Sequence, residues 1–307
     1  MRIMIVFAII IILVVSFSGG CYAMTVLVNS SDSSRYTMPS PDGSTREDLV
    51  AFIEEAVSYV QENGQDEAIR AFNDPEGKFV KRDLYAFAYD FNGTTLANPY
   101  RPDFVGRNNI NLTDQNGVGI IKDLTIVADR GKGFSYYIWP NIAHENKEEL
   151  KLAYVERVND ALWVGAGIYL AGPVPYFGPE DREGLIAFVK DARDFALQNG
   201  KQSALEEFNN RSGRFVNGSR YIFAYDFDTN TLALPFQPDL IGTKPLDAKD
   251  SNGVSFCQDI TALARNGSGL YYLLYPDPTE NMTVKLKLDY VMKVDDTWFL
   301  GSGIYAK

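Results

Sequence analysis

From position 44 onward, apolar residues recur first at helical spacing and then at strand spacing. Leu49, Phe52, Ile53, Ala56, Val57 and Val60 fall at steps of three and four before Asn63-Gly64 breaks the run, which predicts a helix. Ser44, with Glu47 three residues on, has the spacing of a capping box at its start. Ala68, Ile69 and Phe72 predict a short second helix. The stretch 79–99, FVKRDLYAFAYDFNGTTLANP, is dense in aromatic and β-branched residues and predicts two short strands around a polar turn. Its alternation puts Tyr85, Phe87, Tyr89 and Phe91 on one face and Ala86, Ala88 and Asp90 on the other. The small face leaves room for either a packed helix or a cavity. After a Pro-rich excursion at 98–102 and a turn at 114–117, Ile120, Leu124, Val127 and Ala128 predict a helix that stops near Gly131 and Gly133. Strands are then expected over 134–139, 150–158 and 162–169.

The same pattern returns. Asp90 corresponds to Asp226, an offset of 136, and that offset also carries Arg46 to Arg182, Phe72 to Phe208, Asp114 to Asp250 and Tyr169 to Tyr305 without a gap. With roughly 40% of aligned positions identical, this is a duplicated domain rather than a solenoid repeat. Residues 170–181, LAGPVPYFGPED, read as a stiff linker between a domain at 44–169 and a domain at 182–307. Helices, short strands, a helix and three strands in that order predict an α+β fold, an antiparallel sheet backed by helices.

The first 23 residues differ from the rest. Arg2 precedes an apolar run at 3–17, too short for the roughly 20 residues of a spanning helix, and small residues lead to Cys21. This reads as an export signal. Acylation of Cys21, cleavage after Ala23 and an uncleaved anchor all remain open. Residues 24–43 are rich in Ser, Asp and Pro and read as a solvated tether. The chain has 307 residues and a formal net charge of −11 with scattered Lys and Arg, which excludes a phosphate-binding stripe and so a nucleic-acid partner.

Reactive chemistry is scarce. His144 is the only histidine, and the two cysteines are Cys21 and Cys257, the latter inside an apolar helical pattern. No Ser-His-Asp or Cys-His arrangement, His/Cys metal cage or nucleotide loop can be assembled, so neither a cofactor nor an enzyme is expected.

The runs YAFAYDFNGTTLANP, PDFVG and DQNG, then Gly133-Phe134, Tyr136-Tyr137, Trp139-Pro140, Lys151-Leu152 and GAGIY, resemble the Cache sensory domain, most closely its single-Cache type 2 subfamily. The second copy repeats the resemblance with FAYDF, PDLIG, DSNG, YYLLYP, KLKLDYV and GSGIY. The resemblance implies a PAS-like fold outside the cytoplasm that binds a small organic ligand, often a short carboxylate. It places candidate ligand-binding residues at Tyr89, Tyr136, Trp139 and Lys151 in the first copy and Tyr225, Tyr272, Tyr275 and Lys287 in the second. Asn98 and Leu234 stand where the family has His. No output segment follows Tyr305, so the expectation is a membrane-tethered protein that reports to a separate receptor or transporter. The alternative is a structural or adhesive surface protein. Each candidate also has a plainer role: tyrosines and Trp139 as core, the lysines as a solvated strand face, Asp90, Asp226, Asp114 and Asp250 as turn caps.

Overall fold

The computed structural model describes residues 43–306; the export segment at 1–23, Cys21 and the tether up to residue 42 lie outside the described residues. The first domain opens with α1 (Arg46–Asn63) and α2 (Gln65–Phe72). The cap of α1 is one residue later than Ser44: Thr45 accepts from the Asp48 amide, and Asp48 accepts from that of Thr45. Two overlapping pairs have the same spacing in the sequence, and the shorter acid closes the box. The six apolar residues read from the sequence are the ones α1 buries.

Short strands β1 (Val80–Lys81) and β2 (Leu84–Tyr85) form a ribbon of their own. The main sheet comprises β3 (Phe87–Tyr89), β4 (Thr95–Ala97), β5 (Lys132–Asn141), β6 (Lys147–Arg157) and β7 (Trp163–Tyr169), with α3 (Ile120–Asp129) between β4 and β5. All neighbours are antiparallel, in the order β4-β3-β7-β6-β5. Strand periodicity divides the residues between the two faces. Ala86, Ala88, Tyr136, Leu152 and Val164 join the residues of α1 in one core. Tyr85, Phe87, Tyr89, Tyr137, Ala153 and Trp163 join those of α3 in another. The small face of the 85–91 stretch therefore receives a helix, and the aromatic face looks toward α3.

The second domain repeats this with α4 (Pro179–Asn199), α5 (Lys201–Phe208), β8 (Val216–Asn217), β9 (Arg220–Tyr221), β10 (Phe223–Asp226), β11 (Thr231–Ala233), α6 (Phe256–Arg265), β12 (Ser268–Asp277), β13 (Thr283–Lys293) and β14 (Trp298–Tyr305). Its sheet order is β11-β10-β14-β13-β12. Pro179 starts α4 inside the expected linker, where its missing N–H costs no helical bond. The remaining linker is pinned: the Asn116 amide donates to the Pro175 carbonyl at 2.7 Å and accepts from the Phe177 amide at 3.0 Å.

The domains meet through reciprocal contacts. Tyr136 donates to Asp250 at 2.9 Å, and its counterpart Tyr272 receives the Asn116 amide at 2.7 Å. Gly117 lies against Leu270, and the equivalent Gly253 lies against Phe134. Helix α3 packs on α6 and β5 on β12, each element on its own equivalent. Pairings of this kind define an approximate two-fold axis between the domains.

Candidate functional site

A lysine emerges at the same place in both sheets, at the fifth residue of β6 and of β13. Lys151 pairs across to Tyr169 and Lys287 to Tyr305. Both side chains are buried, 0% and 2% exposed, which overrides the solvated-face expectation that holds for most lysines. Glycines make the room. A Cβ on Gly167 would lie 2.7 Å from Lys151 Cε, and one on Gly303 would lie 2.5 Å from Lys287 Cε.

Rings surround each ammonium. Lys151 Nζ stands 4.1 Å from the Tyr85 centroid and 4.7 Å from that of Tyr169. Lys287 Nζ stands 4.9 Å from Tyr221, 5.2 Å from Tyr275 and 5.5 Å from Tyr305. Negative ring faces partly replace lost water around a cation. They supply no lone pair, and Lys151 Nζ has no hydrogen-bond partner. Burial pulls its pKa down to about 7, against the opposing charge of Asp83. Lys287 differs, because Asp289 Oδ1 lies 3.1 Å away with both side chains 2% exposed. Burial favours the neutral lysine there too, yet the charge of Asp289, helped by Tyr221, keeps its pKa above the usual value.

The expected residues divide between the two faces. Tyr89 and Lys151 lie on the α3 side with Trp139, and Tyr225, Tyr275 and Lys287 lie on the α6 side. Tyr89 stacks on Trp163 at 5.0 Å and Tyr225 on Phe299 at 5.9 Å. Tyr136 and Tyr272 are not part of either cluster. They are an odd number of residues from Trp139 and Tyr275, so the strand turns them to the opposite face, where their hydroxyls engage the other domain. Asn98 caps the turn after β4, accepting from the amides of Tyr100 and Arg101, while Leu234 lines the second cluster.

Tyr85, Tyr169, Tyr221, Tyr305 and Asp289 were missed. The signal for Asp289 was present: it is two residues after Lys287, hence on the same face. In the second domain the gap is lined by Tyr221, Tyr225, Leu234, Tyr275, Lys287 and Asp289, and bounded by Phe256 and Ile260 of α6. It measures about 250 Å³ counting every space between atoms, and the part wide enough for water holds about one molecule. Cys257 is buried beside it, and burial pushes its thiol pKa up, away from reactivity. Asp90 and Asp114 each accept backbone amides of their own turns. Among the described residues, no group of three or more His, Cys, Asp or Glu is placed to hold a metal, and no helix is long and apolar enough to cross a membrane.

Two α+β domains of PAS-like form, each with a long N-terminal helix on one sheet face and an aromatic box on the other, define a tandem sensor-type fold. Residues 36–171 and 191–307 match the family described as Single Cache domain 2, and the chain belongs to that family. A 90-residue stretch is 32% identical to the sensor histidine kinase MctS of Rhizobium johnstonii, covering 29% of this chain and 19% of the kinase. The chain thus spans about a fifth of that relative's length. Among solved structures, a methyl-accepting chemotaxis protein from Vibrio parahaemolyticus is similar at 26% identity, over 40% of this chain and 87% of that one, with a TM-score of 0.37. The ligand-binding domain of the Pseudomonas aeruginosa amino acid chemoreceptor PctB is similar at 13% identity, over 83% and 85%, with a TM-score of 0.24.

Proposed function

We propose that this protein is an extracytoplasmic solute-binding or sensory protein whose ligand is a short organic acid held in the aromatic boxes around Lys151 and Lys287. Residues 1–23 would serve as export signal or anchor and 24–43 as tether, so that ligand state is presented to a membrane receptor or transporter. The observation that supports the reading most is the Lys151 ammonium, fully buried among tyrosine rings with no acceptor. A buried cation with no hydrogen-bond acceptor is costly, and an incoming carboxylate removes that cost. No catalytic constellation accompanies it, and the proposal is of a binding protein rather than an enzyme.

Thermal-shift screening of the purified protein against short carboxylates, amino acids and amines tests the reading. A specific acid raises the melting temperature in proportion to the logarithm of its concentration well above Kd. A flat response across the panel would reject it. That flat result is the outcome of the second reading, a structural or adhesive surface protein, which the close packing of the second domain's box favours.

A further inference from the structure

The two boxes differ most in chemistry at one pair of positions. Asp289 in β13 faces Gly303 of β14, and Ala153 in β6 faces Gly167 of β7, in the same sheet register. The Asp289 carboxylate fills the place above the glycine: a Cβ on Gly303 would lie 1.9 Å from its Oδ1. At the corresponding place the first domain has only the methyl of Ala153. The group that neutralises Lys287 is therefore a CH2–COO− unit, the skeleton of acetate, attached to the chain. Lys151 has the equivalent tyrosines, Tyr85 and Tyr169, and the same glycine, with Trp139 where the second domain has Tyr275, but lacks that unit. Asp83, whose counterpart is Ser219, opposes the effect of burial on the lysine electrostatically, and the lysine Nζ has no hydrogen-bond partner.

We propose that Asp289 is a built-in stand-in for a ligand carboxylate, so that the second domain is closed on itself and the first domain is where a free short monocarboxylate binds. This rests on the reading of both boxes as anion sites. The two hypotheses separate by which lysine the ligand needs. Binding at Lys151 also carries a proton requirement. A lysine whose pKa lies near 7 when empty must be protonated to pair with a carboxylate, so binding above that pH takes up a proton. A site around an already paired lysine would show no such uptake.

Isothermal titration of the whole protein with acetate, propionate, lactate and pyruvate decides the matter. The wild type is expected to bind one equivalent, with affinity falling roughly tenfold per pH unit between pH 8 and pH 9. Lys151→Met should weaken binding by at least roughly 30-fold, as for truncating one partner of a buried charge pair. Asp289→Ala should add a second equivalent. Because that variant strips a buried lysine of its partner, Ala153→Asp provides an independent arm: it should abolish binding in the first domain while the empty protein stays folded. Binding that survives Lys151→Met and disappears with Lys287→Met overturns the division of labour and leaves the anion-site reading standing. Binding that survives Ala153→Asp also overturns it. An absence of binding to every acid, in the wild type and in Asp289→Ala alike, rejects the anion-site reading and this inference with it.

Discussion

Replacing Lys151 with methionine keeps the volume and removes the charge, and the consequence depends on pH in a calculable way. In the unfolded chain lysine titrates near 10.4, whereas in the fold burial lowers its pKa to about 7. Between those values the unfolded state holds the extra proton, so stability from this group rises with pH. It is complete above the unfolded value, is lost as pH falls toward 7, and is flat below. At about 1.4 kcal/mol per pKa unit, the charged lysine costs the folded protein about 5 kcal/mol at pH 6. Raising the pH to 8.5 should restore about 2 kcal/mol of that. The measurable quantity is the stability difference between Lys151→Met and wild type, in which the other titrating groups cancel. Two of the three tryptophans, Trp139 and Trp163, lie in the first domain, so urea unfolding followed by tryptophan fluorescence reports on it. The variant should be the more stable at pH 6, and its advantage should shrink by about 2 kcal/mol at pH 8.5. An advantage that is equal at both pH values, or that grows, would refute the account of Lys151 as a buried, unpaired ammonium.

Three further outcomes follow from the contacts. Tyr136→Phe removes a donor from buried Asp250, whose pKa burial already raises to about 6, and should cost about 1–2 kcal/mol in thermal denaturation at pH 7.5; an unchanged melting temperature would argue against the seam. Gly303→Ala puts a methyl 1.9 Å from Asp289 Oδ1 and 2.5 Å from Lys287 Cε, which should destabilise by at least about 1–3 kcal/mol, read by circular dichroism melting. Asn116→Ala deletes the bonds to Pro175, Phe177 and Tyr272, so limited proteolysis should cut the linker at 170–178 faster than in wild type; equal rates would mean that other contacts pin it.

Much of the fold was readable because the α1 face and the β3 alternation each obey a single period. Repetition at a fixed offset then made one domain predict the other. The site was only half readable, for a reason internal to β-structure. Tyr136 and Trp139 were grouped together although they stand three positions apart on one strand, and a strand sends such a pair to opposite faces. Applied strictly, the same rule leads from Lys287 to Asp289 and from Lys151 to Ala153. The burial of Lys151 was not readable, since it depends on Tyr85 of β2 and on Tyr169 and Gly167 of β7 converging on it. Nor was the seam, because nothing local marks Asp250 as the acceptor for a tyrosine 114 positions away.

The pseudo-twofold seam makes the chain equivalent to a dimer whose halves cannot dissociate. In a true homodimer every substitution is introduced twice, so a carboxylate added beside one lysine would quench both boxes together. Fusion removes that constraint, since an acid can occupy one half while the other stays vacant. The halves also remain paired at any dilution, because the linker supplies the local concentration that a separate subunit would have to reach by mass action.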